Sequence, residues 1–192
     1  MRTFIYFSGR ARTSGNWDDL MQAGRMDIVC NVIIHTFFIS NAMREDVKLH
    51  LIFYGQPDPP KHIEIISNRE TPLSKKDIAG LIKRILYKYK PGRKIEVFPG
   101  CFVEKKNLFQ LIEELKNDGK EIYILDKKGE DIREIREELK DAVFLLGDQE
   151  GLPRKELKRL ESEAKSISIG KKTYFSSQVI TILNNELDRR EI

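Results

Sequence analysis

The stretch Ile122–Asp148, IYILDKKGEDIREIREELKDAVFLLGD, decides how the chain reads. It opens on Ile122–Leu125, a short apolar run of strand length. It closes on Ala142–Leu146, apolar at every position, as expected of a strand buried on both faces of a parallel sheet. Between them Ile132, Ile135 and Leu139 recur at helical spacing among charged residues, which predicts a charged amphipathic helix. Strand, helix and strand, with Gly147 stopping the second strand, is the repeating unit of an α/β fold with a mostly parallel sheet and flanking helices.

The same alternation continues in both directions. Toward the C-terminus the pattern predicts a helix near Arg154–Ala164 and a short strand, Ser166–Ile169. A last helix follows, on which Phe175, Val179, Leu183 and Leu187 repeat every four residues. Toward the N-terminus, Leu108, Ile112 and Leu115 mark a helix ended by Asn117-Asp118-Gly119, preceded by a strand at Lys94–Phe98. Ser74 with Asp77 predicts a capping box opening a helix striped by Ile78, Leu81, Ile82 and Ile85. His62–Ile66 alternates apolar and polar, predicting a strand with one solvated face. Lys48–Tyr54 is a strand running into the proline-stiffened turn Gly55–Pro60. Met26, Val29, Ile33 and Phe37 predict a helix over Arg25–Asn41; before it lie a strand, Thr3–Phe7, and a polar loop to Asp18. No repeat or low-complexity linker divides the chain. One domain over residues 1–192 is expected, with residues 1–94 as an N-terminal half and 95–192 as the more regular one.

Composition narrows the class. A 40% hydrophobic and 33% charged chain is neither disordered nor membrane-like. The longest apolar stretch, Ile28–Ile39, is interrupted by Asn31, His35 and Thr36, so a soluble cytoplasmic protein is expected. Cys30 and Cys101 make no disulfide framework, and His35, His50 and His62 lie at no recognisable metal spacing, so no metal is expected. A net charge of +4 permits a nucleic-acid partner without demanding one.

In a parallel sheet, ligands bind beyond the carboxyl ends of the strands. Three ends matter here: Leu125-Asp126, Leu146-Gly147-Asp148 and Ile167–Gly170. There is no G-x-G-x-x-G after a strand, no P-loop and no nucleophile elbow. A dinucleotide, a P-loop nucleotide and a serine-hydrolase mechanism are thereby disfavoured, and generic motifs decode nothing further.

Several blocks nevertheless occur in order along almost the whole chain: Ala23–Cys30 (AGRMDIVC), Tyr54–Pro60 (YGQPDPP), Gly129-Glu130-Asp131, Phe144–Asp148 (FLLGD), Ile167–Gly170 (ISIG) and Val179–Leu183 (VITIL). Together they resemble the archaeal tRNA pseudouridine-54 N1-methyltransferases of the SPOUT (α/β-knot) class. The resemblance implies a C-terminal trefoil knot in residues 95–192, a homodimer, and S-adenosyl-L-methionine bound by the knot loops. It implies N1-methylation of pseudouridine 54 in the tRNA T-loop. An rRNA pseudouridine as target, or an RNA-binding protein without turnover, are the alternatives.

Carried over by position, the cofactor contacts are Leu125, Gly147, Ile167, Ser168, Ile169, Gly170, Lys171, Lys172 and Val179. Leu125 and Ile169 would sandwich the adenine, and Gly147 would let the backbone approach it closely. A strand-ending glycine and a buried strand with its turn are the plainer readings of Gly147 and Ile167–Gly170. Asp27 is the candidate catalytic residue, because the N1–H proton of pseudouridine must leave as N1 takes the methyl group. A first-turn aspartate that merely favours the helix dipole is its plainer reading. Arg10, Arg12 and Arg25 are candidate RNA-binding residues, with Trp17 as a stacking partner; a solvated surface loop is the alternative. One departure stands out, since many members of the family carry cysteine where this chain has Val179.

Overall fold

The structure is a computed structural model that describes residues 1–160 and 162–192. Ala142–Leu146 is buried at all five positions, and this strand lies inside a sheet of eight strands among the described residues. In chain order the strands are β1 (Arg2–Ser8), β2 (Val47–Phe53), β3 (Lys61–Ile66), β4 (Ile95–Phe98), β5 (Cys101–Glu104), β6 (Glu121–Asp131), β7 (Ala142–Leu146) and β8 (Lys165–Ser168). The helices are α1 (Met26–Phe37), α2 (Ile78–Tyr87), α3 (Leu108–Asn117), α4 (Arg154–Leu160) and α5 (Ser176–Arg189). Across the sheet the order is β4-β5-β3-β2-β1-β7-β6-β8. The run from β2 to β8 is parallel, and β3, β5 and β4 extend it antiparallel. Parallel pairing brings the carboxyl ends of β1, β7, β6 and β8 to one edge, and this places the candidate site.

The pleat explains the two cores. On β1, Phe4 and Tyr6 face the cluster shared with α1, α2 and α5, while Ile5 and Phe7 face the smaller cluster shared with α3. β7 divides the same way, with Phe144 and Leu146 on one side and Val143 and Leu145 on the other. An uninterrupted apolar strand is what a sheet covered on both faces requires.

Four expectations need correction. No α-helix covers residues 132–138; the chain turns there and ends in a 3-10 turn, Leu139–Asp141. The three apolar residues are buried as expected, but the backbone is held otherwise. Ile132 N–H bonds to Ser168 C=O, continuing the β8 ladder, and the Arg190 guanidinium takes the carbonyls of Ile132 and Ile135. Those carbonyls are then satisfied by a side chain instead of by the amides of a helical turn. The β3 strand has no solvated face: His62 is 1% exposed and Glu64 8%. The N-cap of α2 is Asp77, whose side chain makes no capping bond, so Ser74 and Asp77 form no capping box. Phe175 lies at the exposed N-cap of α5, and the buried stripe runs through Ile180, Leu183 and Leu187. The short strand β5 had no counterpart in the sequence reading.

The Arg190 clamp gives a direct prediction. Arg190→Ala strands two partly buried carbonyls, and loss of these charge-assisted bonds should cost about 2–3 kcal/mol. Urea unfolding should show a lower midpoint at unchanged slope. A midpoint within error of the parent's would mean the turn is held by its apolar side chains alone.

Candidate functional site

At the carboxyl edge the ends of β6, β7 and β8 and the first turn of α5 enclose a cavity of about 490 Å³. Its floor is apolar, formed by Leu125, Leu146, Ile167, Ile169 and Val179, and its rim carries Asp126, Asp148, Glu150 and Ser176. This volume falls in the range of pockets that enclose a molecule of cofactor size. Eight of the nine residues expected to bind cofactor line it: Leu125, Gly147, Ile167, Ser168, Ile169, Gly170, Lys172 and Val179. Lys171 does not.

The local chemistry explains how separate loops converge. Ser176 Oγ donates to Gly147 C=O at 2.8 Å, tying the start of α5 to the end of β7. Ser168 Oγ accepts the Gly170 amide at 3.0 Å and shapes the turn after β8. Asp148, 8% exposed, joins the cavity to the N-terminal loop. Its Oδ2 accepts Gly9 N–H at 2.9 Å and Ser8 Oγ–H at 3.1 Å, and its Oδ1 accepts Glu150 N–H at 2.8 Å. A buried carboxylate is stable in such a place because each oxygen has a donor. The sequence places Asp148 at a ligand-facing strand end and in a matching block without giving it a role, although an acidic residue directly after a strand-ending glycine marks a loop-organising position. Ser176 carried no such signal.

The arginines part company. Arg10 is exposed and forms an ion pair with Glu150 on the cavity rim. Arg12 is half-buried and its amide bonds to Ala23 C=O. The backbone of Arg10 is wedged between two glycines: a Cβ at Gly24 or Gly55 would fall 1.8 or 2.2 Å from its carbonyl oxygen. Arg25 has left-handed φ of 64° and caps α1, and its guanidinium grips Asp27 with two bonds of 3.0 and 2.9 Å. That grip holds the Asp27 carboxyl below its usual range. Asp27 does not line the cavity. The Tyr6 phenol, buried in the main core, is pushed up first by desolvation and then by the charges of Asp148 and Asp27.

Trp17 is not a free stacking platform. It is 8% exposed in the main core, with the Lys83 ammonium 4.5 Å from its ring centroid. An indole beside apolar α2 gains more from burial than from display. Among the basic residues of 83–94, Arg84 pairs with Asp77 and Lys94 with Glu64. Cys30 is half-buried and its thiol is pushed up to about 11, chiefly by burial, which leaves it unreactive. Tyr174, which the sequence did not single out, lines the cavity and is exposed, as is its neighbour Phe175.

The family model described as "Putative SAM-dependent RNA methyltransferase" matches residues 1–192. A tRNA (pseudouridine(54)-N(1))-methyltransferase of Methanosarcina acetivorans is 38% identical over 197 residues, covering 100% of this chain and 92% of its own. Another of that name, from Methanococcoides burtonii, is 37% identical over 195 residues, covering 98% and 96%. Among solved structures, Archaeoglobus fulgidus Nep1 bound to S-adenosylhomocysteine matches with a TM-score of 0.64 over 99% of this chain and 98% of that one. At 18% identity, that likeness speaks for the fold.

Proposed function

The chain belongs to the SAM-dependent RNA methyltransferase family, and from that premise we propose that it methylates N1 of pseudouridine 54 in the tRNA T-loop, using S-adenosyl-L-methionine. The observation that carries the reading is the cavity at the carboxyl edge. The full-length relatives at 37–38% identity bear the name of this activity. The cavity residues of this chain suit the cofactor. Leu125 and Ile169 offer two apolar walls for a flat base, and backbone groups of Gly147 and of residues 167–170 offer donors and acceptors at its edge. Ser176 fixes the Gly147 carbonyl in place before any ligand arrives. Bound there, the cofactor supplies an electrophilic methyl group on a sulfonium.

The protein's part is to present N1 in line with that methyl group and to receive the N1–H proton. Asp27 is assigned to the proton. Its carboxylate, ionised by Arg25, is an acceptor for N1–H, whose acidity rises as the N–C bond forms. Arg25, which grips this carboxylate, and Arg10 and Arg12 in the N-terminal loop are assigned to the RNA backbone. Ion pairing of Arg10 with Glu150 gives an arginine that phosphate can recruit from the cavity rim. Val179, half-buried in the cavity wall, takes the cysteine position as an apolar contact. One domain over residues 1–192, a trefoil knot in its second half, a homodimer and a cytoplasmic location belong to the same reading. No described helix is long and apolar enough to cross a membrane.

The test is methyl transfer from labelled S-adenosylmethionine to two matched tRNAs, with uridine or pseudouridine at position 54. Label is expected in the pseudouridine tRNA alone. Equal labelling of both, or of neither, would remove the assignment, and an rRNA fragment carrying pseudouridine provides the comparison substrate.

A further inference from the structure

His50 and His62, twelve residues apart and at no metal spacing, meet on the antiparallel side of the sheet. In the β2–β3 register His50 faces Glu64 and Ile52 faces His62, and in the β3–β5 register His62 faces Glu104. Directly paired residues share a face, so two imidazoles and two carboxylates project together from three strands. His50, His62 and Glu64 are 2%, 1% and 8% exposed. His50 Nδ1 lies 2.8 Å from His62 Nε2 and 3.6 Å from Glu64 Oε2, and the three ligand atoms all lie within 4.8 Å of one another.

We propose that His50 Nδ1, His62 Nε2 and Glu64 Oε2 bind a divalent transition-metal ion, zinc above all, that staples β2 to β3.

The geometry suits a tetrahedral ion. Metal–ligand bonds of about 2.0–2.1 Å place neighbouring ligand atoms about 3.3 Å apart. The observed 2.8 and 3.6 Å lie on either side of that value, within about half an ångström of it, and the third pair, His62 Nε2 and Glu64 Oε2, lies within 4.8 Å. The groups behind the ligands are those a metal site uses. His62 Nδ1–H donates to Glu104 Oε1 at 3.0 Å, which fixes the tautomer with the Nε2 lone pair inward. Glu64 is held through its other oxygen by Lys94 at 2.9 Å.

The buried His50 Nε2 has no partner, and an ion on Nδ1 leaves it so. Positive charge nearby opposes a cation, and it comes from Lys94 on Glu64, Lys106 on Glu104, and Lys48. Lys94 has a 39% exposed side chain and can swing outward when the ion takes Glu64. Lys106 is matched by Glu104 and Glu114 at 2.8 and 2.6 Å. Lys94 and Glu104, which hold Glu64 and His62 from behind, also line a second cavity of about 670 Å³ with Tyr89 and Arg93. The three protein ligands leave the fourth position of the tetrahedron to water, and the site stands apart from the cofactor cavity, so its role is structural.

The full chain, stripped with chelator, is titrated with Co²⁺ alone and, separately, with Zn²⁺ alone. One Co²⁺ per chain is expected to give visible absorption of a nitrogen–oxygen site. Zinc at a hundredfold over its Kd is expected to raise Tm by about 5 °C or more. Both effects should vanish in His50→Gln and in Glu64→Gln, whose circular dichroism should match the parent's. Absence of both effects in the parent would overturn the proposal and leave a plain buried histidine pair. A sulfur-to-cobalt charge-transfer band would also overturn it, by putting the ion on Cys30 or Cys101.

Discussion

Asp27→Asn is expected to lower the turnover number for methyl transfer by about 10²–10⁴-fold, the usual contribution of a positioned acid or base, while leaving cofactor affinity unchanged. The expectation rests on where the charge sits. Arg25, locked in a left-handed conformation at the N-cap of α1, delivers two bonds to this carboxylate. The pair is partly exposed, with side chains 38% and 29% accessible, so as a surface ion pair it adds little to stability. Asparagine keeps the shape and the first-turn position but loses the charge that accepts N1–H. The pH profile adds a second readout. Because Arg25 depresses the Asp27 pKa, the carboxylate is ionised above the acid range and loses its charge only as pH falls through that lowered value. Activity should therefore be flat on its acid limb from about pH 5 upward. Turnover within about threefold of the parent in Asp27→Asn would take Asp27 out of the mechanism and return it to helix-dipole duty.

How much of this was visible beforehand depends on the range of the interactions. The strand ends that form the cavity were legible because apolar runs, glycine stops and ordered blocks are local properties, and Gly147, Ile167–Gly170 and Val179 all reached the cavity. The segment Ile132–Leu139 misled because its apolar spacing is helical while its backbone partners, Ser168 and Arg190, lie more than thirty residues away. Trp17 misled in the same manner: a polar loop says nothing of the α2 surface that buries the indole. The meeting of His50 with His62 follows from strand register across the Gly55–Pro60 turn, which spacing along the chain does not encode. Asp148 is the instructive intermediate case. It was seen as part of a block, but its bonds to Ser8 and Gly9 run between elements 140 residues apart.

The second large effect is expected at Gly147. A Cβ there would lie 2.6 Å from Gly151 C, 2.8 Å from Gly151 Cα and 2.9 Å from Leu152 N. All three are backbone atoms, so no rotamer change relieves the contact, and residues 151–152 must shift. They line the cavity that Gly147 itself borders, and the Gly147 carbonyl also holds Ser176 at the start of α5. Gly147→Ala should therefore weaken S-adenosylhomocysteine binding at least ~100-fold in calorimetric titration, equivalent to about 2.8 kcal/mol. Overpacking alone should cost a further stability loss of about 1–3 kcal/mol. Leu111→Ala separates the two effects. It empties a buried position on α3 in the second core that does not itself line the cavity, and should destabilise by about 2–5 kcal/mol with cofactor affinity intact. If Gly147→Ala lost stability as expected yet bound the cofactor as the parent does, the cofactor would have to sit elsewhere. The parallel strand ends would then have converged on Ser176 and Asp148 for structural reasons only.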